Sequence, residues 1–416
     1  MKKRLSIAAA VLTAIMAFGV CGAGCNGGKN QGATSSEEQN GENIMKLDMV
    51  ALAENIDKAA QYDFVTNKVF GSAYYVYQNG VSYEKCYGNV TLNADMPITN
   101  ASIFRLASMT KPITAMATLI LVDSGVLSLD DTVDTYLPEF KDVKIIQGSS
   151  VAIPQSMPTI RNLLNHTSGI GCDESKLRKM TANDKGTLDA SISFYIKEGL
   201  DFEPGSKQQY SGYGAFDVLT KIIEKVSGTD YLSFLQEYLF MPCGMTDTTF
   251  TPNAEQQSRM VAMHNRVEGE NTVANMPQGC VFEDFPATHY LGGAGLVSTL
   301  SDYGKFAEML LNKGKVGKRK IVQEETFNLL CTPQVSTDIM PGHTQWGLGV
   351  RVISEEHPYL PAGTFGWSGA YGSHFWVDPV NKIFAVYMKN SKTDGGAGNE
   401  SATKFEQAVY TSFVRE

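Results

Sequence analysis

Apolar and polar positions change rhythm three times along this chain. Residues 69–88 alternate around β-branched and aromatic side chains, with Asn79-Gly80 between two such runs, and predict a hairpin. From Leu119 to about Cys280 the pattern becomes helical and loop-rich; Phe216, Leu219, Ile222, Ile223 and Val226 trace one helix face that stops near Gly228. Strand-like runs return at residues 347–353, 373–378 and 383–389, and residues 402–414 read as an amphipathic helix. The order predicts an α/β (α+β) chain. An antiparallel sheet is built from the N- and C-terminal segments, flanked by helices, with a mostly helical region of about residues 126–285 inserted between them.

A further helical repeat, Ile113, Met116, Ala117 and Ile120, runs to a stop at Gly125, and Pro112 fits its first turn, where a missing N–H costs nothing. Ser108 and Lys111 stand at its start, three residues apart. On a helix that spacing puts Cβ atoms about 5 to 6 Å apart on one face, so a hydroxyl and an amine can share a proton. Near unpaired N–H groups the same hydroxyl also sits where developing negative charge is favoured. An N-capping serine gives the same pattern, and Ser-x-x-Lys recurs at Ser82–Lys85 and Ser401–Lys404. Ser82 falls in a predicted strand and Ser401 lies too close to the C-terminus to have further motifs after it, so context selects Ser108.

The first residues stand apart from the folded body. Lys2, Lys3 and Arg4 precede an apolar run over residues 5–20 that is short for a membrane span, which reads as an export signal. Ala23-Gly24-Cys25 resembles a bacterial lipoprotein signal, with Cys25 the residue that would be lipidated. Gly22 departs from the larger aliphatic residue usual there, so a plain cleaved signal or an uncleaved anchor stays open. The polar stretch after Cys25 cannot bury enough apolar surface to fold. The expected division is a signal over 1–24, a flexible linker over 25–45 and a folded body over 46–416, exported and held to the membrane through its N-terminus. Cys86, Cys172, Cys243, Cys280 and Cys331 show no disulfide framework, and the 6 histidines have no metal-ligand spacing. A net charge of −9 argues against a nucleic-acid surface.

Five segments occur in a telling order: Phe104-Arg-Leu-Ala-Ser-Met-Thr-Lys111, Leu163-Leu-Asn-His-Thr-Ser-Gly169, Tyr210-Ser-Gly-Tyr-Gly-Ala-Phe216, Gly292-Gly-Ala-Gly295 with the run to Asp302, and Phe365-Gly-Trp-Ser-Gly-Ala-Tyr-Gly372. In this order the chain resembles the penicillin-recognising serine hydrolases, in the branch holding class C β-lactamases, D-alanyl-D-alanine peptidases and β-lactamase-like esterases. The resemblance implies a β-lactamase/transpeptidase-like fold, a small-molecule ester or amide as partner, and no cofactor or metal. It makes Ser108 the acyl-accepting nucleophile, Lys111 its partner and Tyr210 the start of the second motif. Trp367-Ser368-Gly369 would be the third motif, and the backbone N–H groups of Ser108 and Ala370 would stabilise the oxyanion. Deprotonating an unperturbed lysine at pH 7 costs about 4.6 kcal/mol and a tyrosine about 4 kcal/mol, so the two must act together, and the proton is assigned to neither alone. His166 is expected to fix a loop without a catalytic role. Gly292, Gly293 and Gly295 are expected to mark a close backbone approach rather than a phosphate loop.

Two departures bear on substrate. Gly212 stands where class C enzymes carry an asparagine that holds the substrate's side-chain carbonyl, and Trp367 stands where a lysine or histidine would attract a carboxylate. Desolvating a carboxylate with no cation is costly. An uncharged ester is therefore the expected substrate, with Trp367, Ser368, Gly369 and Gly212 lining its site. Open beside this are a β-lactamase or D-alanyl-D-alanine carboxypeptidase or aminopeptidase whose anion is held by Lys207 or Arg351, transfer of the acyl group to an alcohol or amine, and a non-catalytic surface binding protein. Oligomeric state is not legible.

Overall fold

The computed structural model describes residues 44–414, apart from 67, 182, 275–286 and 356. The export signal, Cys25, nearly all of the linker and Cys280 lie outside the described residues. Among the described residues no helix is long and apolar enough to cross a membrane.

A helix, α1 (Met49–Val65), leads into the predicted hairpin of β1 (Gly71–Gln78) and β2 (Val81–Gly88). Asn79 and Gly80 both have positive φ, 49° and 85°, the turn that matches the twist of the flanking strands. Strand β3 (Ile103–Arg105) ends in a single 3₁₀ turn, Ala107–Met109, which runs directly into α2 (Thr110–Asp123). The middle of the chain supplies α3 (Leu188–Glu198) and α4 (Gly214–Ser227), then β4 (Val297–Thr299) and α5 (Leu300–Leu311). It also holds two small hairpins, Ile145–Gln147 with Ser150–Ala152 and His264–Val267 with Glu270–Val273, which the helical reading of this region did not anticipate. The C-terminal part forms β5 (Thr344–Trp346), β6 (Arg351–Ile353), β7 (Phe365–Ser368), β8 (His374–Asp378), β9 (Ile383–Met388) and α6 (Glu400–Tyr410).

The sheet runs β5-β6-β7-β8-β9-β1-β2 with every neighbouring pair antiparallel, so the first and last parts of the chain meet at β1–β9. Side-chain alternation divides its contacts. Tyr74, Val76, Trp376, Ile383, Ala385 and Tyr387 face α1 and α6 (Leu52, Ile56, Phe405, Val409). Ala73, Phe375, Val377, Phe384, Val386 and Met388 lie on the other face, against α5, in the larger core that continues into α2 and α4. Burial on both faces explains why β8 and β9 read as nearly unbroken apolar runs.

The run at 347–353 is not one strand. Gly349, with φ of +72°, turns its backbone toward α2 and donates its N–H to Leu164 O at 2.9 Å, so strand geometry resumes only at Arg351. Strand β8 joins two turns. Residues 369–373 lie at one end, and 379–382 lie at the other, where Asn381 Oδ1 accepts from Met45 N at 3.3 Å and Gln78 Nε2 donates to Met45 O at 2.7 Å.

Candidate active site

Ser108 sits in the 3₁₀ turn between β3 and α2. Ala107 before it has φ of +45°, a conformation that costs a non-glycine residue about 1 to 2 kcal/mol and persists only where its surroundings hold it. Those surroundings are tight: Ala107 packs with Met263 and Tyr371, Leu106 N donates to Leu296 O at 3.0 Å, and Tyr303 donates its hydroxyl to Met109 O at 2.9 Å. From α2, which is buried over most of its length, Lys111 projects with no solvent exposure. Its Nζ donates to Gly212 O at 2.7 Å and to Gly293 O at 2.8 Å, and lies 3.4 Å from Ser108 Oγ. Three acceptors match the three N–H groups of an ammonium, the condition for burying such a charge. The expected close approach at the glycine run is here: a Cβ on Gly293 would stand 2.9 Å from Gly212 O and 3.3 Å from Lys111 Nζ.

Tyr210 belongs to a segment held by His166. Gln209 N donates to His166 O at 3.0 Å, and Ser211 N donates to His166 Nδ1 at 3.1 Å. Complete burial, and then the nearby Lys111 charge, hold the imidazole well below its ordinary range, which keeps Nδ1 an acceptor and leaves the proton on Nε2. Around Tyr210 the rings of His166, Trp367 and Trp346 lie 4.6, 5.4 and 5.9 Å away, centroid to centroid. Trp346 and Trp367 meet edge to face at 4.5 Å. Lys111 Nζ is 4.9 Å from the centre of the Tyr210 ring, and Trp367 Nε1 donates to Tyr210 Oη at 3.3 Å. The structure thus brings Ser108, Lys111, Tyr210, Gly212 and Trp367 to one place. It adds Trp346, which stands just before the run read as a strand at 347–353; its only signal was a tryptophan beside the Gly347-Leu-Gly349 break.

Ser368 is placed differently from the expectation. Strand alternation sends its hydroxyl to the opposite face from Trp367, where Oγ lies 2.8 Å from His374 Nδ1, and His374 Nε2 lies 3.0 Å from Glu406 Oε1. Its hydroxyl therefore points away from the Trp367 wall, and only its backbone belongs to this end of β7. Gly369 is pressed onto the backbone that leads into the Ser108 turn, since a Cβ there would collide with Leu106 O and Ser373 Oγ. Among the described residues, the amides of Ser108 and Ala370 donate to no protein acceptor, and Ala370 is exposed. At Gly212 a Cβ would meet nothing within 4 Å, so the place of a missing asparagine side chain is open space.

Neither candidate for an anion-holding cation faces this cluster. Lys207 Nζ is engaged with Gln209 Oε1 at 2.8 Å on the surface. Arg351 lines a small cavity with Gly366, His374 and Trp376 on the α6 side of the sheet.

With this geometry in place, comparison with known proteins is decisive at the level of family. A profile of the Beta-lactamase family matches residues 52–408. The chain belongs to the beta-lactamase family. Within this family of serine hydrolases, esterase EstB of Burkholderia gladioli is 27% identical over 383 residues, covering 85% of this chain and 94% of EstB. Penicillin-binding protein 4* of Bacillus subtilis is 33% identical over 350 residues, covering 79% of this chain and 68% of that protein. Among solved structures, EstCE1, described as a hydrolase with promiscuous acyltransferase activity, superimposes with a TM-score of 0.75 at 25% identity. The match covers 87% of this beta-lactamase family chain and 99% of EstCE1.

Proposed function

We propose that this serine hydrolase cleaves uncharged carboxylic esters through an acyl-enzyme on Ser108. In this reading Ser108 Oγ attacks the ester carbonyl carbon and gives its proton to the Lys111–Tyr210 pair. The carbonyl oxygen becomes an oxyanion stabilised by the N–H groups of Ser108 and Ala370. Collapse expels the alkoxide, which takes up the proton from the pair and leaves as the alcohol. Water then attacks the Ser108 ester by the same route, releasing the acid and restoring the hydroxyl. One observation carries the preference for uncharged esters: Trp367 and Trp346 form an aromatic wall where a cation would be needed to hold a carboxylate, while Lys207 and Arg351 are turned elsewhere. The likeness to EstB supports the same choice.

Wild type and Ser108→Ala assayed side by side on p-nitrophenyl butyrate, nitrocefin and a D-alanyl-D-alanine peptide test this. The expected result is ester turnover that disappears with Ser108, together with fluorophosphonate labelling that disappears with it. Fast nitrocefin or peptide turnover without esterase activity overturns the substrate assignment. Failure of well-folded wild type to take the label overturns the acyl-enzyme. From the basic start, the apolar run over 5–20 and Ala23-Gly24-Cys25 we further propose that the body is exported and tethered through Cys25; incorporation of labelled palmitate that is lost in Cys25→Ala is the corresponding test.

A further inference from the structure

The Ser-x-x-Lys match at Ser401 is part of a second, largely buried cluster. Ser401 Oγ does not pair with Lys404, which sits over the Tyr62 ring, but lies 2.9 Å from Lys389 Nζ. Lys389, with no solvent exposure, donates to Asp394 Oδ2 at 2.8 Å. Ser401 Oγ is also 2.6 Å from Asp394 Oδ2 and 2.7 Å from Asp63 Oδ1, while Tyr387 donates to Asp63 Oδ2 at 2.7 Å. Asp394 further accepts the amides of Glu400 and Ser401, both at 3.1 Å, at the start of α6. Burial works against the charge on Asp394, but Lys389 and Ser401 outweigh it and hold its carboxyl below the ordinary range. Lys389, Ser401 and Asp63 are buried and Asp394 closes the cluster from its partly exposed edge, so the Ser401 hydroxyl, taken up by these partners, is not open to a substrate.

Its reach extends to the turn that carries Ala370. Gly396 N donates to Gly369 O at 3.1 Å, and Ser391 N donates to Tyr371 O at 2.9 Å. Gly395 lies so close to Ala370 O that a Cβ would collide with it, and a Cβ on Gly372 would collide with the Lys389 side chain and stand 2.6 Å from Asp394 O. The segment 391–396 is thus clamped on one side by the Lys389–Asp394 pair and laid against residues 369–372 on the other.

We propose that the Lys389–Asp394 pair, buried at its lysine, is a positioning device for the Ala370 amide, holding it where the oxyanion forms. This rests on the acyl-enzyme reading above. A buried ion pair is a weak source of net stability and is strongly disruptive when broken, which suits a part that fixes geometry. Displacing a stabilising amide by about 1 Å can cost about 100-fold in rate, far more than it costs in ground-state binding.

The test compares Lys389→Met, which breaks the pair, with Ser401→Ala, which leaves the pair and removes the link to Asp63. Thermal midpoints of both are measured first. On p-nitrophenyl butyrate, Lys389→Met is expected to lower kcat by about 10- to 100-fold with KM nearly unchanged, and to weaken a boronic-acid transition-state analogue by the same factor. Ser401→Ala is expected to keep kcat within about twofold even where its thermal midpoint falls. Wild-type kcat and analogue affinity in folded Lys389→Met overturn the proposal, as does a loss of activity in both variants that follows thermal stability alone. Should Lys389→Met not fold, Asp394→Asn, equal in size and uncharged, takes its place with the same expectations. Ser108→Ala separates the two readings: esterase activity surviving in that variant sinks the acyl-enzyme, whereas a strut without effect leaves it standing.

Discussion

Asp217, in the first turn of α4, is a buried carboxyl whose charge the fold resists. Its Oδ2 accepts the hydroxyl of Tyr195 at 2.8 Å, and its Oδ1 has no hydrogen-bond partner among the described residues. Burial pushes the group up from 3.8 to about 7, with the Tyr195 hydrogen bond and the Lys111 charge only partly opposing it. A raised pKa in the folded state means stability that is complete below the unfolded value and is lost as pH rises through the folded one. At about 1.36 kcal/mol per unit, the whole shift corresponds to about 4 kcal/mol, of which about 2 to 3 kcal/mol is lost between pH 5 and pH 8. Asp217→Asn keeps an acceptor for Tyr195 but cannot ionise. Its new amide group has no ready partner, so the variant carries a constant penalty of about 1 to 3 kcal/mol. The diagnostic quantity is therefore the difference between wild type and variant as a function of pH, read from urea unfolding of both proteins at several values between 5 and 8. The wild type should lose ground to Asp217→Asn by about 2 to 3 kcal/mol across that interval. A difference that stays constant with pH refutes the argument that burial, uncompensated at Oδ1, governs this carboxyl.

Three other outcomes follow from the same geometry. Gly369→Ala, whose Cβ would collide with Leu106 O, should push the Ala370 amide from the nucleophile turn and lower kcat on p-nitrophenyl butyrate by about 100-fold, with a smaller change in KM. Gly212→Asn, whose Cβ meets open space, should leave the thermal midpoint within about 1 °C and raise turnover of substrates bearing an acylamino side chain; a large loss of stability would show that the space is not available. Because burial and the Lys111 charge depress His166, its contribution is complete above about pH 6.5 and is lost as pH falls, so His166→Phe, stripped of the Nδ1 acceptor for Ser211, should be less stable by about 1 to 3 kcal/mol at pH 7 and gain on wild type in acid unfolding.

What the sequence made legible, and what it did not, follows from the range of each interaction. The hairpin at 69–88 was readable because Asn79 and Gly80 fix its turn locally, and α4 because one apolar stripe ends at a glycine. The run at 347–353 was misread as one strand because its interruption is tertiary: Gly349 turns aside to bond Leu164 O beside α2. At the site, spacing and motif order led to Ser108, Lys111, Tyr210 and Trp367. Trp346 escaped notice because it stands just before the run read as a strand, and a lone tryptophan there has no spacing or motif that ties it to Ser108. The direction of the Ser368 hydroxyl depends on strand parity at the end of β7, which motif order does not encode. Ser401 shows the converse. Its Ser-x-x-Lys spacing is real in sequence, yet its lysine partner in space is Lys389, 12 positions earlier.

The two turns joined by β8 give the molecule a top and a base. Residues 369–373 belong to the reacting end, and Asn381 with Gln78 receives the incoming chain at Met45. Five strand residues separate them, about 16 Å of nearly straight backbone. The chain therefore enters the described fold at the base, and a substrate that reaches residues 369–373 does so from the opposite end of β8, without passing the backbone that leads into Met45.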